Sequence, residues 1–309
     1  MLPFFNKKEK MTEEYKTIDF LKRLVNKNNL SFEQYAVEQF TDINAMQDCR
    51  LDQQEYQWKS ALENDRLNRY CNILPFDKNR VKLADGGYIN ASHIQTPTGT
   101  SYIAAQGPLR HTVIDFWRMV VEQKVPVIVC LTPEIEKGME KCARYWPEGD
   151  QNETLRNNDG VMVELQNVEK ERIYKKADCM VRKISVALSR QNEPVQKTEV
   201  VQLQFFGWPD HGVPNKPDKV LALVKLARTF YKENRPAVVH CSAGCGRTGT
   251  FCVIDSTETM IKNGLGPLDP VSFLTDEFRK QRTTMVQTPS QFIFCYVALL
   301  QFLKETKQL

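Results

Sequence analysis

The sequence predicts an α/β fold: a single domain on a central mixed β-sheet, with helices on both faces and a helical extension ahead of it. Three observations predict it. Two segments, Val125 to Leu131 and Ala237 to Val239, are apolar throughout, as strands buried on both faces are. Elsewhere Ile184, Val186 and Leu188 alternate with Lys183, Ser185 and Ala187, and Val201, Leu203 and Phe205 alternate with Gln202 and Gln204, the period of half-buried strands. Helical patterns fall between and after these strands, with no Pro/Gly/Ser linker from Tyr70 to Leu303 and no internal repeat.

In chain order, Glu13 to Asn26 sets Ile18, Leu21, Leu24 and Val25 on one helical face, and Phe32 to Phe40 follows with Ser31 as its N-cap. The expected organisation is a flexible terminus at 1–11, a helical extension at 12–60 packed on the main domain, and the main domain at 61–306. A strand over Tyr88 to Ile94 follows the turn Asp85-Gly86-Gly87, and one over Val161 to Leu165 follows Asp159-Gly160. Helices are expected over Thr112 to Gln123, Pro217 to Tyr231, Arg247 to Lys262, Pro270 to Gln281 and Ser290 to Leu303, with Asn263-Gly264 ending the third.

Composition narrows the function classes. With 41% hydrophobic and 26% charged residues among 309, and no low-complexity tract, the chain can bury a substantial core. Its net charge of +4 is too small to argue for nucleic acid, and suits an acidic ligand such as a phosphopeptide. No apolar run approaches a membrane span, and Met1 to Phe5 is too short and wrongly flanked for a signal peptide. The nine cysteines are odd in number and lack the spacing of a zinc site or a disulfide framework. The expectation is a cytoplasmic monomer in a reducing compartment, without metal or cofactor.

The sharpest segment is Val238 to Gly249, between a buried strand and a helix. Ser242, Ala243, Gly244, Cys245 and Gly246 are small enough for the loop to curl so that backbone N–H groups converge, and the helix that follows aims its positive end at the same point. A phosphate dianion is the natural guest, and Arg247, six residues after Cys241, would close the ring with a planar fork. Amides, helix terminus and guanidinium all favour thiolate over thiol, so Cys241 is expected to be a nucleophile at neutral pH. Of the nine cysteines only Cys241 has an arginine at this spacing.

His240 to Gly249 resembles the signature of the protein tyrosine phosphatase family, of the non-receptor type. Asn68-Arg69-Tyr70, Asp77 to Arg80, Tyr88-Ile89-Asn90-Ala91, Gln106-Gly107-Pro108, Phe116-Trp117, Lys141-Cys142, Tyr145-Trp146-Pro147, Trp208-Pro209-Asp210 and Gln287-Thr288 through Gln291 also resemble it, in the family's order. The resemblance runs from about Asn68 to the C-terminus and implies the phosphotyrosine phosphatase fold, with a highly twisted sheet, and hydrolysis of phosphotyrosine in signalling proteins through a phosphocysteine. It gives Asp210, carried on a mobile loop with Trp208, the role of general acid, since tyrosinate leaves poorly without a proton. It gives Gln287, with Gln291, the placing of the hydrolytic water, with ionised Asp210 as base, and Thr248 a hydrogen bond to the departing thiolate. Tyr70 would wall a cleft deep enough for phosphotyrosine, and Asn72 stands where many members carry an aspartate that binds the peptide backbone. Glu136 would buttress Arg247, Lys141 would contact the Asp210 loop, and Arg279 and Arg282 resemble basic residues near the cleft. His240 is expected to order the loop by hydrogen bonding, because neighbours on a strand point to opposite faces. His211 reads as a solvent-facing loop residue.

The Cys-Gly-Arg-Thr-Gly version of the loop is similar to the PEST-type cytoplasmic subgroup. Cys245 would either fill the loop as a small hydrophobe or trap oxidised Cys241 as a reversible disulfide. Two competing readings are a dual-specificity phosphatase, against which the Tyr70 loop argues, and a phosphotyrosine-binding pseudophosphatase, against which the joint presence of Cys241, Arg247 and Asp210 argues.

Overall fold

The computed structural model describes residues 17–24, 29–209 and 212–308. Twelve strands, eight α-helices and four single-turn 3-10 helices are seen among them. Four parallel strands form the centre: β3 (Ser101–Ala105), β4 (Val127–Cys130), β11 (Gln196–Phe205) and β12 (Ala237–His240). β12 lies between β3 and β4, and β11 pairs with β4 on its other side. Antiparallel strands complete the sheet. β2 (Tyr88–Gln95) and β1 (Arg80–Lys82) extend the β3 side. Beyond β11 lie β10 (Cys179–Ser189), β8 (Met162–Asn167) and β7 (Glu153–Arg156), and β9 (Arg172–Tyr174) also pairs with β10. A separate two-stranded hairpin is made by β5 (Ile135–Glu136) and β6 (Met139–Glu140).

Every residue of β4 and β12 is buried, which is why these segments carry apolar residues without alternation. Because β3, β4, β11 and β12 run the same way, their C-terminal ends deliver the segments from Gln106, Leu131, Phe206 and Cys241 to one edge of the sheet. Ligands of open α/β sheets bind at such an edge.

The helices occupy both faces. α4 (Val113–Glu122) buries Phe116, Trp117 and Val120 against one. α5 (Asp218–Arg228), α6 (Gly246–Lys262), α7 (Pro270–Arg279) and α8 (Pro289–Glu305) cover the other. Asp269 caps α7 by accepting from Ser272 N–H at 3.1 Å, and Thr288 caps α8 through Gln291 N–H at 3.2 Å, each followed by a proline at the first helical position. A short helix, α3 (Lys59–Glu63), precedes β1. Among the described residues no helix is long and apolar enough to cross a membrane.

Ahead of the sheet, α1 covers residues 17–24 and buries Leu21 and Leu24. Glu13 to Lys16, Val25 and Asn26 of the expected helix, and the terminus at 1–11, lie outside the described residues. The next helix, α2 (Asn29–Leu51), is longer than the expected Phe32 to Phe40, and Ser31 lies within it, not at its cap. Up to Ile43 it is anchored by burying Ala36, Phe40 and Ile43, the larger of which stabilise by about 1.5–3 kcal/mol each relative to exposure. Beyond Ile43 it is anchored by polar bonds, from Asn44 to Arg279, Gln47 to Thr284 and Arg50 to Asp276. A hydrophobic period cannot reveal the second kind.

Candidate active site

The loop from Cys241 to Cys245 leaves the C-terminal end of β12 and enters α6. All five of its carbonyls are taken by the surrounding scaffold. Cys241 C=O accepts from His240 Nδ1 at 3.2 Å, Ser242 C=O from Gly107 N–H at 2.9 Å, and Ala243 and Gly244 C=O from Arg282 at 2.9 and 2.7 Å. Cys245 C=O accepts from Gly249 and Val286 N–H at 2.7 and 3.2 Å. In a trans peptide the N–H of the next residue points away from the carbonyl, so carbonyls pinned outward turn the amides inward, as an anion-binding nest requires. Gly244 N–H, 3.2 Å from Cys241 Sγ, shows this orientation. Gly244 has φ +74°, and a Cβ there would sit 2.2 Å from Ala105 O, so no other residue fits.

Cys241 lines a cleft of about 440 Å³ with Tyr70, Asn72, Glu136, Lys141, Ser242, Ala243, Gly246, Arg247, Gln287 and Gln291. Ten or more of the residues expected from sequence therefore meet around one cavity. Arg247 donates to Glu136 Oε1 at 2.6 Å, to Leu131 C=O at 3.2 Å and to Pro209 C=O at 3.3 Å. Glu136 is presented by the β5–β6 hairpin, whose turn places Lys137 and Gly138 at positive φ. Trp208 is buried against Phe205 and Phe294 and donates from Nε1 to Gly212 C=O at 3.2 Å. Asp210 and His211, between Pro209 and Gly212, lie outside the described residues.

His240 is wholly buried. Its Nδ1 faces a carbonyl and must carry the proton, so Nε2 accepts from the Tyr145 hydroxyl at 2.8 Å. Burial holds its pKa down to about 4, and the ring is neutral at physiological pH. Cys245 is buried too, and burial pushes its thiol up to about 12. Thr248 Oγ1 is buried with no hydrogen-bond partner among the described residues.

At the rim, Ser242 Oγ donates to Lys141 C=O at 3.0 Å, which leaves the Tyr70 hydroxyl to donate to Ser242 Oγ at 2.9 Å. This chain of bonds stands the Tyr70 ring at the cleft wall. On the opposite side Gln287 N–H donates to Gln291 Oε1 at 2.8 Å. A Cβ on Gly246 would lie 3.1 Å from the side-chain ends of both glutamines, so this glycine keeps them close to the loop.

Two basic residues expected near the cleft support it from beneath. Arg279 and Arg282 are buried beneath the loops and do not line the cleft. Arg282 reaches Gly244 and Ala243 carbonyls, Asn90 Oδ1 at 2.7 Å and Ser92 Oγ at 3.1 Å. Sequence reasoning also missed the staple made by Arg69, which donates to Gly107, Pro108 and Glu140 carbonyls at 3.1, 2.8 and 2.9 Å. An arginine surrounded by backbone carbonyls has no sequence signal of its own. Ile73, Thr288 and Ser290 line the cleft as well, and their adjacency to Asn72, Gln287 and Gln291 could have found them.

The sequence profile described as protein-tyrosine phosphatase matches residues 64–301. Human tyrosine-protein phosphatase non-receptor type 12 is 40% identical over 256 residues, covering 80% of this chain and 31% of that protein. Human tyrosine-protein phosphatase non-receptor type 18 is 39% identical over 258 residues, covering 81% of this chain and 54% of that protein. The chain thus spans a third to a half of the length of these relatives. The crystal structure of the catalytic domain of human protein tyrosine phosphatase non-receptor type 18 aligns with a TM-score of 0.77 at 35% identity, over 93% of this chain and 99% of that one. A structure of PTPN18 in complex with HER2 phosphopeptides aligns with a TM-score of 0.80 at 34% identity, with the same coverage.

Proposed function

The chain belongs to the protein-tyrosine phosphatase family, and on that premise we propose that it hydrolyses phosphotyrosine in protein substrates through a phosphocysteine on Cys241. The observation that carries the proposal is the nest itself, with five carbonyls pinned outward around a cysteine at the foot of an open cleft. Cys241 sulfur attacks phosphorus, the P–O bond to tyrosine breaks, and Asp210 protonates the departing phenolate. Arg247 and the inward amides hold the equatorial oxygens as charge spreads over them. Water placed by Gln287 and Gln291 then attacks phosphorus, Asp210 takes its proton, and the S–P bond breaks to free inorganic phosphate. The partnerless Thr248 hydroxyl supports its role as donor to the thiolate that leaves.

Substrate selection is assigned to the wall formed by Tyr70 and to Asn72, whose neutral amide anchors a peptide backbone less firmly than a carboxylate would. Lys141, Trp208 and Glu136 support the loop that carries Asp210 and the arginine that faces it. His240 orders the phosphate loop as a neutral donor to Cys241 C=O. Residues 61–306 are assigned to the catalytic domain and the described part of 12–60 to a helical extension packed on it, in a monomer. Nine free thiols suit a reducing, cytoplasmic setting.

Hydrolysis of p-nitrophenyl phosphate by the wild type and by Cys241→Ser tests the assignment. Turnover lost in the variant is expected; a wild type inert across acidic and neutral pH overturns it. Comparable rates on phosphotyrosine and phosphothreonine peptides would overturn the tyrosine preference.

A further inference from the structure

Residues 284–286 lead into Gln287 through a backbone that side chains avoid: Thr284 has φ 60° and Val286 φ 59°. Both are β-branched, for which the left-handed region is an outlier. Such strain persists only where the surroundings over-determine it, and here they come from two directions. From the sheet side, Val286 N–H donates to Cys245 C=O at 3.2 Å, and Gly249 makes room, since a Cβ there would lie 2.3 Å from Val286 N. From the extension, Gln47 Oε1 accepts from Thr284 N–H at 2.8 Å.

Asn44 acts one step further out. Its Oδ1 accepts from Arg279 Nη1 at 2.5 Å, and the same guanidinium donates to Met285 C=O at 3.0 Å and Val286 C=O at 2.8 Å. Arg279 is 1% exposed, and the Phe40 ring covers it with its centroid 5.0 Å from Cζ. Phe40, Asn44 and Gln47 recur at i, i+4 and i+7, so they form one stripe of α2. That stripe grips the segment before Gln287 along its length.

We propose that α2 is a positioning element for the second chemical step: Asn44 and Gln47 hold residues 284–286 in their strained path so that Gln287 is set for hydrolysis of the phosphocysteine. The proposal rests on the reading above in which Gln287 places the water. It concerns the second step because the phosphate loop has anchors of its own, Cys245 C=O keeping Gly249 N–H at 2.7 Å besides Val286. Four carbonyls around Cys241 are pinned by His240, Gly107 and Arg282, and Arg247 by Glu136, and none of those bonds involves α2.

Rapid-quench kinetics with p-nitrophenyl phosphate test it on the full chain. In Gln47→Ala and Asn44→Ala, kcat is expected to fall about tenfold with kcat/KM within about twofold, because only a step after phosphoenzyme formation slows. A burst of nitrophenol and phosphorylated Cys241 in the quenched protein should accompany it. Gln47→Glu keeps an acceptor oxygen and should restore wild-type partition. Arg50→Ala removes the ion pair from α2 to Asp276 without touching 284–286, and should lower the melting temperature with no burst. Parallel loss of kcat and kcat/KM in both alanine variants, or wild-type kinetics in both, would overturn the proposal. A wild type that turns over while the alanine variants show no burst removes the positioning role alone; a wild type without turnover removes the phosphatase reading and this role with it.

Discussion

Helix α6 carries an arginine–carboxylate cluster toward each end, and the two are built oppositely. In its later turns Asp255 and Glu258, each with a side chain 1% exposed, receive Arg228 from α5. Arg228 Nε and Nη2 meet Asp255 Oδ1 and C=O at 2.6 Å, Nη1 meets Glu258 at 2.7 Å, and Nη2 also meets Thr259 Oγ1 at 3.1 Å. Tyr102 and Tyr231 hydroxyls donate to Asp255 Oδ2 at 2.7 and 2.6 Å. In the first turn Arg247 has one carboxylate, Glu136, and two carbonyls, and faces the cleft. The same pair of residue types is closed around itself in one place and left able to take a further anion in the other. An arginine's partners, more than its charge, decide whether it holds a fold or a ligand.

The contrast breaks if the two clusters respond alike to mutation. Arg228→Ala should have the largest effect, a loss of about 3–5 kcal/mol in chemical denaturation, because two buried carboxylates lose the guanidinium between them and keep only the Tyr102 and Tyr231 hydroxyls and Lys262. Turnover per folded molecule should stay within about twofold. Arg247→Lys should do the reverse, lowering kcat by about 10²–10³ while the melting temperature hardly moves, since an ammonium cannot grip two phosphate oxygens in a fixed fork. Comparable stability losses in both variants would dissolve the distinction.

His240 sharpens it, as a buried group satisfied only while uncharged. Its pKa is depressed by burial to about 4 from 6.5. The stability it contributes is therefore complete above about pH 6.5 and is lost as pH falls through 4, amounting to about 3 kcal/mol. Melting curves from pH 7 to 4 should slope downward in the wild type and less steeply in His240→Gln; identical slopes would exclude this residue as the source.

The doubly buried strands β4 and β12 and the amphipathic helices α4 to α8 were legible because burial imposes a period on the residues that undergo it. The β5–β6 hairpin was not, because its two-residue strands are set by the turn at Lys137-Gly138 and not by hydrophobicity. The cleft was legible where the chemistry needs one residue type at one spacing, as in Cys241 and Arg247. Its foundations were hidden. Nothing in the sequence separates Arg282, buried and bonded to carbonyls, from an arginine at the mouth of the cleft, since the two differ only in what the fold brings around them.

The bonds that shape the nest close long stretches of chain: Tyr70 reaches Ser242 across 172 residues, and Arg282 reaches Asn90 across 192. Contacts of such separation carry the greatest loop-closure entropy and form after local ones. The anion site therefore forms late in folding, after the local helices and hairpins. A partly folded chain has helices and hairpins but no place for a phosphate, and so the thiol remains without its nest until the whole sheet has closed.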